Sequence, residues 1–266
     1  MRLAFIGGGF MGEAVLGAAL RSGFVQPADV IVADVAQERR DTLAATYKVA
    51  TTPDNSEAAR GAGLLVLAVK PQEFPNVASG LRGHLDGAHT AVSIMAGVPM
   101  SKIASELGSD AIVRVMPNTA AFVGEAISVW KASEGVTEQG REAVRALLTS
   151  MGREIEVSDE KYLDMATAVS GSGPGFIYLI VEALIDASVR IGMRREVADQ
   201  LVVQMLFGSA ALARETGKHP AELRAMVTSP GGTTAAGLQV LEDAGVRGAI
   251  IEAVVVAHER AKELGG

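Results

Sequence analysis

A glycine-rich run, Gly7-Gly8-Gly9-Phe10-Met11-Gly12, directly follows the apolar residues Leu3–Ile6. It fits G-x-G-x-x-G at Gly7, Gly9 and Gly12, with Phe10 and Met11 as spacers, and between a strand and a helix that spacing marks a dinucleotide site. The first glycine permits the tight turn, the second lets backbone approach a pyrophosphate, and the third lets the helix pack closely on the strand. The helix N-terminus then offers free N–H groups and a dipole that favours an anion. A second apolar run, Val30–Ala33, ends in Asp34, at the spacing expected of a carboxylate that accepts hydrogen bonds from ribose hydroxyls. Such a carboxylate favours NAD, because it repels a 2′-phosphate. Arg39 and Arg40 follow closely and carry two readings, as bidentate binders of that phosphate or as a solvated helix face.

Further along, a run at 64–69 leads into Ala68-Val69-Lys70-Pro71-Gln72, and later runs end in Ser93-Ile94-Met95-Ala96-Gly97 and Val115-Met116-Pro117-Asn118-Thr119. The carboxyl ends of parallel strands are where doubly wound folds bind ligands. Pro71 stops a helix and fixes the loop where the nicotinamide half is expected, and Lys70 reads either as a contact there or as an ordinary exposed lysine. Two more glycine-rich motifs precede predicted helices, Ser170-Gly171-Ser172-Gly173-Pro174-Gly175 and Thr228-Ser229-Pro230-Gly231-Gly232-Thr233-Thr234. The second combines backbone N–H groups, hydroxyls and a helix start. It reads either as a carboxylate receptor without a cationic side chain or as a plain N-cap and turn.

The elements that must position these residues change character along the chain. Strand-sized runs at 3–6, 30–33, 64–69, 91–94 and 111–115 alternate with helical patterns, which predicts an α/β doubly wound, Rossmann-like parallel sheet with right-handed crossovers. Runs at 126–130 and 154–157 flank a helix at 137–151 and extend the sheet as a less regular edge. After residue 159 only helices are predicted: 159–169, 175–192, 195–216, 220–227, 233–244 and 246–264. Two domains follow, 1–158 for the dinucleotide and 159–266 all-helical. The helices at 176–191 and 198–213 are apolar nearly all round and need cover on every face, which predicts a homodimer rather than helices folded back on the first domain.

Composition narrows the function classes. Apolar residues make up 48% and aromatics 4%, so the core is built from small and branched side chains. A formal net charge of −7 argues against sequence-independent nucleic-acid binding. The absence of cysteine removes disulfides, thiolate catalysis and cysteine metal sites, and no metal is expected. His84, His89, His219 and His258 are scattered and read as surface or structural residues. Charges such as Glu182, Asp186 and Arg190 interrupt the longest apolar stretches, so no membrane span is expected, and with no visible signal segment the expected compartment is the cytoplasm.

Five ordered motifs spanning the chain, Gly7 to Ala14, 68–72, 115–119, 170–174 and 228–234, resemble those of the pyrroline-5-carboxylate reductase family. The resemblance implies an NAD(P)H-dependent oxidoreductase that transfers a hydride to the C=N bond of 1-pyrroline-5-carboxylate, giving L-proline in the last step of its biosynthesis. It implies a dinucleotide domain followed by a helical dimerisation and substrate domain, with dimers assembling into rings such as a decamer. By motif position, Thr234 resembles the catalytic hydroxyl that hydrogen-bonds the ring nitrogen. Ser229 and the backbone of Gly231, Gly232 and Thr233 resemble the substrate-carboxylate cradle, and Asn55 matches a cofactor contact. The family's usual NADPH stands against the NADH that Asp34 favours, so the cofactor is NADP or NAD. Gly175 and Phe176 stand where the family usually has Ala-Tyr, and Met95 where it often has alanine. The rivals are a related imine reductase or β-hydroxyacid dehydrogenase, whose lysine base has no counterpart between Ser170 and Val197, and a non-catalytic NAD(P)-binding regulator, which needs no second anion site.

Overall fold

The computed structural model describes residues 1–85 and 89–265. Its contacts divide the chain into two compact units. One comprises Met1–Ser172 together with the chain from Ala257 onward, and the other Gly173–Val256.

The first unit is built on an eight-stranded sheet. In chain order its elements are β1 (Leu3–Ile6), α1 (Phe10–Arg21), β2 (Val30–Ala33), α2 (Gln37–Tyr47), β3 (Ala50–Thr52), α3 (Asn55–Ala59), β4 (Leu64–Leu67), α4 (Phe74–Leu81), β5 (Thr90–Ser93), α5 (Met100–Leu107), β6 (Ile112–Met116), β7 (Ala126–Ala132), α6 (Glu138–Thr149), β8 (Gly152–Glu156) and α7 (Lys161–Ala166). The spatial order is β3-β2-β1-β4-β5-β6-β7-β8. Strands β1 to β6 are mutually parallel, β7 runs antiparallel to β6, and β8 is parallel to β7. The first six strands have the dinucleotide-binding order 3-2-1-4-5-6, whose switch point lies between β1 and β4.

Strands β1, β2 and β4 are continuous apolar runs buried along their whole length, and β5, Thr-Ala-Val-Ser, is buried throughout as well, as a sheet covered on both faces requires. Alternate residues serve opposite cores. Leu3, Phe5, Val32 and Val66 pack with α1 and α6, whereas Ala4, Ile6, Leu65 and Leu67 pack with α3, α4 and α5. The edge strand β8, Gly-Arg-Glu-Ile-Glu, carries charges that discourage pairing with another chain. Two of them are used locally. Glu154 accepts from Trp130 Nε1 at 2.5 Å, and Glu156 accepts from Arg145 at 2.8 Å.

Composition changes at 159, but the compact units divide fourteen residues later, between Ser172 and Gly173. Arg114, buried in β6, explains the offset: it donates to Glu160 at 2.8 Å and to Asp164 at 2.7 Å, fastening α7 to the sheet. A π-helical turn, Thr167–Gly171, continues α7.

The second unit contains α8 (Gly173–Arg190), α9 (Arg195–Thr216), α10 (Pro220–Met226), α11 (Thr233–Asp243) and the first half of α12 (Val246–Gly265). None of α8 or α11 is buried, and α9 buries only Ala198 and Val202. Tyr178, Leu179, Val203, Phe207, Val240 and Ile251 are exposed instead. The helical run Lys161–Arg190 is long and apolar enough to cross a bilayer by length and composition.

Candidate active site

Three strand ends are stitched together where the glycine motif begins. Gly7 N–H donates to Ala33 at 2.8 Å, and Ala68 N–H donates to Ile6 at 2.8 Å. Gly7 has φ +95°, and a Cβ there would lie 2.8 Å from the Ala68 carbonyl oxygen, so only glycine turns the chain between β1 and β4. A Cβ on Gly12 would lie 2.6 Å from the Gly7 carbonyl oxygen, which holds the first turn of α1 against the loop. Gly9, by contrast, faces open space and starts α1 with no side-chain cap. A cradle closed to side chains at Gly7 and Gly12 and open at Gly9 fits a dinucleotide pyrophosphate. The exposed Phe10 ring packs on Phe122, centroids 4.6 Å apart, and Met11 packs against the core.

Asp34 lies at the end of β2 with both oxygens engaged. Oδ2 accepts from Gly8 N–H at 2.8 Å and Oδ1 from Ala36 N–H at 2.9 Å. Arg40 fits neither sequence reading: it is buried, donating to the carbonyls of Asp34 at 2.6 Å and Val35 at 3.1 Å and to Gln37. Arg39 donates to the Gly8 carbonyl and to Glu13, whose other oxygen accepts from the Tyr47 hydroxyl at 3.1 Å. Partial burial, then the Glu13 hydrogen bond, pushes the Tyr47 hydroxyl above its ordinary pKa. Asn55 opens α3, just past β3. Its neighbour Asp54 caps that helix by accepting from Ser56 N–H at 2.8 Å.

Beyond β4, Lys70 is extended, as the residue before a proline must be, and Pro71 opens a one-turn 3₁₀ helix, Pro71–Glu73. Val69 closes on Gly7, its Cγ1 lying 3.0 Å from where a Gly7 Cβ would be. The Met95 side chain packs in the core. Beyond β6, Asn118 Oδ1 is buried without a hydrogen-bond partner, ahead of a 3₁₀ turn, Thr119–Val123, that carries Phe122. A Cβ on Gly171 would lie 2.5 Å from Met116 Cε, so Met116 and Gly171 meet within the first unit.

In the second unit, Ser229-Pro230-Gly231-Gly232 forms a tight turn closed by Gly232 N–H donating to the Ser229 carbonyl at 3.0 Å. Pro230 followed by Gly231 at φ +67° is the sequence of a type II turn. Gly232 then starts α11 with no side-chain cap, and a Cβ there would meet Ser229 Oγ at 2.3 Å. Thr233 and Thr234 are the first two residues of α11. The turn gathers a hydroxyl, backbone N–H groups and the positive end of a helix, which suits a carboxylate.

Two histidines are structural. His89 is buried against the Ala59 carbonyl at 2.7 Å, and His219 accepts from Ala221 N–H at the start of α10. His258 Nδ1 is buried without a partner. Sequence reasoning missed Phe122, Arg114 with its two carboxylates, and the bracing of Glu13 by Arg39 and Tyr47. Only Phe122 carried a signal, an aromatic just past the end of a parallel strand.

A family model described as pyrroline-5-carboxylate reductase dimerisation matches residues 160–264, and one described as NADP oxidoreductase, coenzyme F420-dependent, matches residues 2–97. Pyrroline-5-carboxylate reductases of Synechocystis sp. and Methanosarcina acetivorans are 42% and 40% identical over 100% and 99% of this chain, each covered to 98%. Among solved structures, the Plasmodium falciparum pyrroline carboxylate reductase with NADP bound superposes with a TM-score of 0.92 at 31% identity, covering 100% of this chain and 98% of that one. The Coxiella burnetii pyrroline-5-carboxylate reductase does so with a TM-score of 0.90 at 35% identity and the same coverage. With a six-strand dinucleotide sheet, a helical unit matched by a dimerisation model and relatives alike from end to end, this chain belongs to the pyrroline-5-carboxylate reductase family.

Proposed function

We propose that this chain reduces the ring C=N bond of 1-pyrroline-5-carboxylate to give L-proline. The turn at 229–232 supports this most directly: a receptor for a small carboxylate, built from backbone and hydroxyls, in a chain that also has a dinucleotide cradle. A bound reduced nicotinamide supplies a hydride when present. The cradle of Gly7, Gly9, Phe10, Met11 and Gly12 holds the pyrophosphate; Asp34 and Asn55 serve the adenosine side, and Ala68 to Pro71 the nicotinamide side. Ser229 and the Gly231, Gly232 and Thr233 backbone hold the substrate carboxylate, and the Thr234 hydroxyl orients the ring nitrogen. A protonated imine is already electrophilic, so positioning is the protein's main contribution. This suits a site without a histidine dyad.

The exposed apolar faces of α8, α9 and α12 pack against a second copy of this chain, in line with the dimerisation model that covers them, rather than against lipid. Dimers assemble further into a ring such as a decamer, and the enzyme works in the cytoplasm. In this reading residues 159–266 are the dimerisation and substrate portion and 1–158 the dinucleotide portion. The test is loss of reduced-nicotinamide absorbance on adding 1-pyrroline-5-carboxylate, with proline formed in equal amount. No substrate-dependent oxidation with either NADH or NADPH refutes it.

A further inference from the structure

The adenosine end of the cradle carries information the reductase reading leaves open. Asp34 is fixed by two backbone N–H donors, Gly8 at 2.8 Å and Ala36 at 2.9 Å. Each carboxylate oxygen accepts two hydrogen bonds, so each keeps one lone-pair direction beside the glycine loop for a ligand hydroxyl. Ribose 2′- and 3′-hydroxyls meet that requirement. A 2′-phosphate brings only further acceptors and negative charge to a carboxylate that cannot swing aside without breaking its two backbone contacts.

The guanidinium groups that would otherwise attract such a phosphate already serve other partners. Arg40 is only 8% exposed and donates to the carbonyls of Asp34 and Val35 beneath the turn. Arg39 bridges the Gly8 carbonyl and Glu13, and Glu13 is braced from its other side by Tyr47. To reach a phosphate, Arg39 must leave a carboxylate partly buried without its ion pair.

We infer that Asp34 makes this chain selective for NADH over NADPH, by accepting from the ribose hydroxyls and repelling a 2′-phosphate. The inference rests on the first unit holding a nicotinamide dinucleotide, as proposed above, and not on which substrate is reduced. Fluorescence titration of the full-length protein with NADH and with NADPH, in the absence of any imine, reads it directly. NADH binds tighter by roughly ten- to a hundredfold, the scale of one like-charge contact at a partly solvated site. Adenosine 2′,5′-bisphosphate displaces NADH less well than adenosine 5′-diphosphate. Asp34→Asn, which retains an oxygen acceptor and removes the charge, narrows the affinity ratio to within about threefold, mainly by tightening NADPH. Arg39→Ala leaves the ratio unchanged.

Equal or tighter binding of NADPH by the native protein overturns the inference, as does a selective loss of NADPH affinity in Arg39→Ala. If Asp34→Asn fails to fold, the native comparison of the two dinucleotides and the two adenosine phosphates still decides. Failure of both dinucleotides to bind removes the cofactor reading as well. A clear NADH preference without imine reduction removes only the substrate.

Discussion

The two units handle the same kind of residue in opposite ways. In the sheet unit, Leu3, Phe5, Ile6, Leu65 and Trp130 are all sealed within it, on one face of the sheet or the other. In the helical unit, Tyr178, Leu179, Val203 and Phe207 sit just as regularly along their helices and are open, Phe207 at 58%. A parallel sheet clothed by its own crossover helices completes its core from one chain. A set of long helices with apolar residues on every side does not, and the matching dimerisation model says what completes it. One unit is a finished fold, and the other is half of one.

This contrast gives ordered expectations. The largest effect falls on the helical unit: Phe207→Asp places a charge among apolar side chains and weakens self-association by roughly a thousandfold, the scale of losing an interface hot spot. Sedimentation at micromolar concentration checks this, and an unchanged assembly mass means the exposed face of α9 has another use. Thr234→Ala lowers kcat by roughly ten- to a thousandfold, the scale of one positioned donor, with NADH affinity and assembly unaltered. Unaltered turnover takes Thr234 out of the site.

On the sheet side the effects are local. Arg114→Ala takes the guanidinium away from Glu160 and Asp164 and costs about 3 kcal/mol, read from the denaturant midpoint. Gly12→Val forces α1 away from the Gly7 carbonyl and weakens dinucleotide binding by roughly ten- to a hundredfold while the oligomer persists. Smallest is an acid effect at Asp54, whose carboxyl is held below its ordinary 3.8 by the Ser56 hydroxyl and N–H. A depressed folded-state pKa stabilises above the unfolded value and is lost as pH falls through the folded one. Asp54→Asn therefore loses a small increment of stability at neutral pH and flattens the acid limb, so that the two profiles converge as pH falls below 3.8.

Much of the fold was legible because its signals are local. The runs at 3–6 and 30–33 became β1 and β2 residue for residue, since a strand buried on both faces is apolar throughout. The edge at 126–157 also formed, with β7 turning antiparallel. Strand β3 escaped notice: Ala50–Thr52 is three residues long, lies at the sheet edge and buries only Thr52. The glycine loops could be found because turns demand particular φ values at fixed positions. The fates of Arg39 and Arg40 could not be read from sequence, because their partners are carbonyls and a carboxylate brought alongside only by folding. Arg114 was equally silent, its acceptors lying 46 and 50 residues away.

That last pairing sets where the chain can be cut. A fragment ending at 158 would strand a guanidinium inside β6 with neither of its acidic mates, and would also lack the returning C-terminal stretch in which Ala261 is buried. The sheet unit is thus discontinuous in sequence, with the helical one inserted between residues 172 and 257. Isolating it requires joining residue 172 to residue 257 rather than truncating at the border that composition suggests.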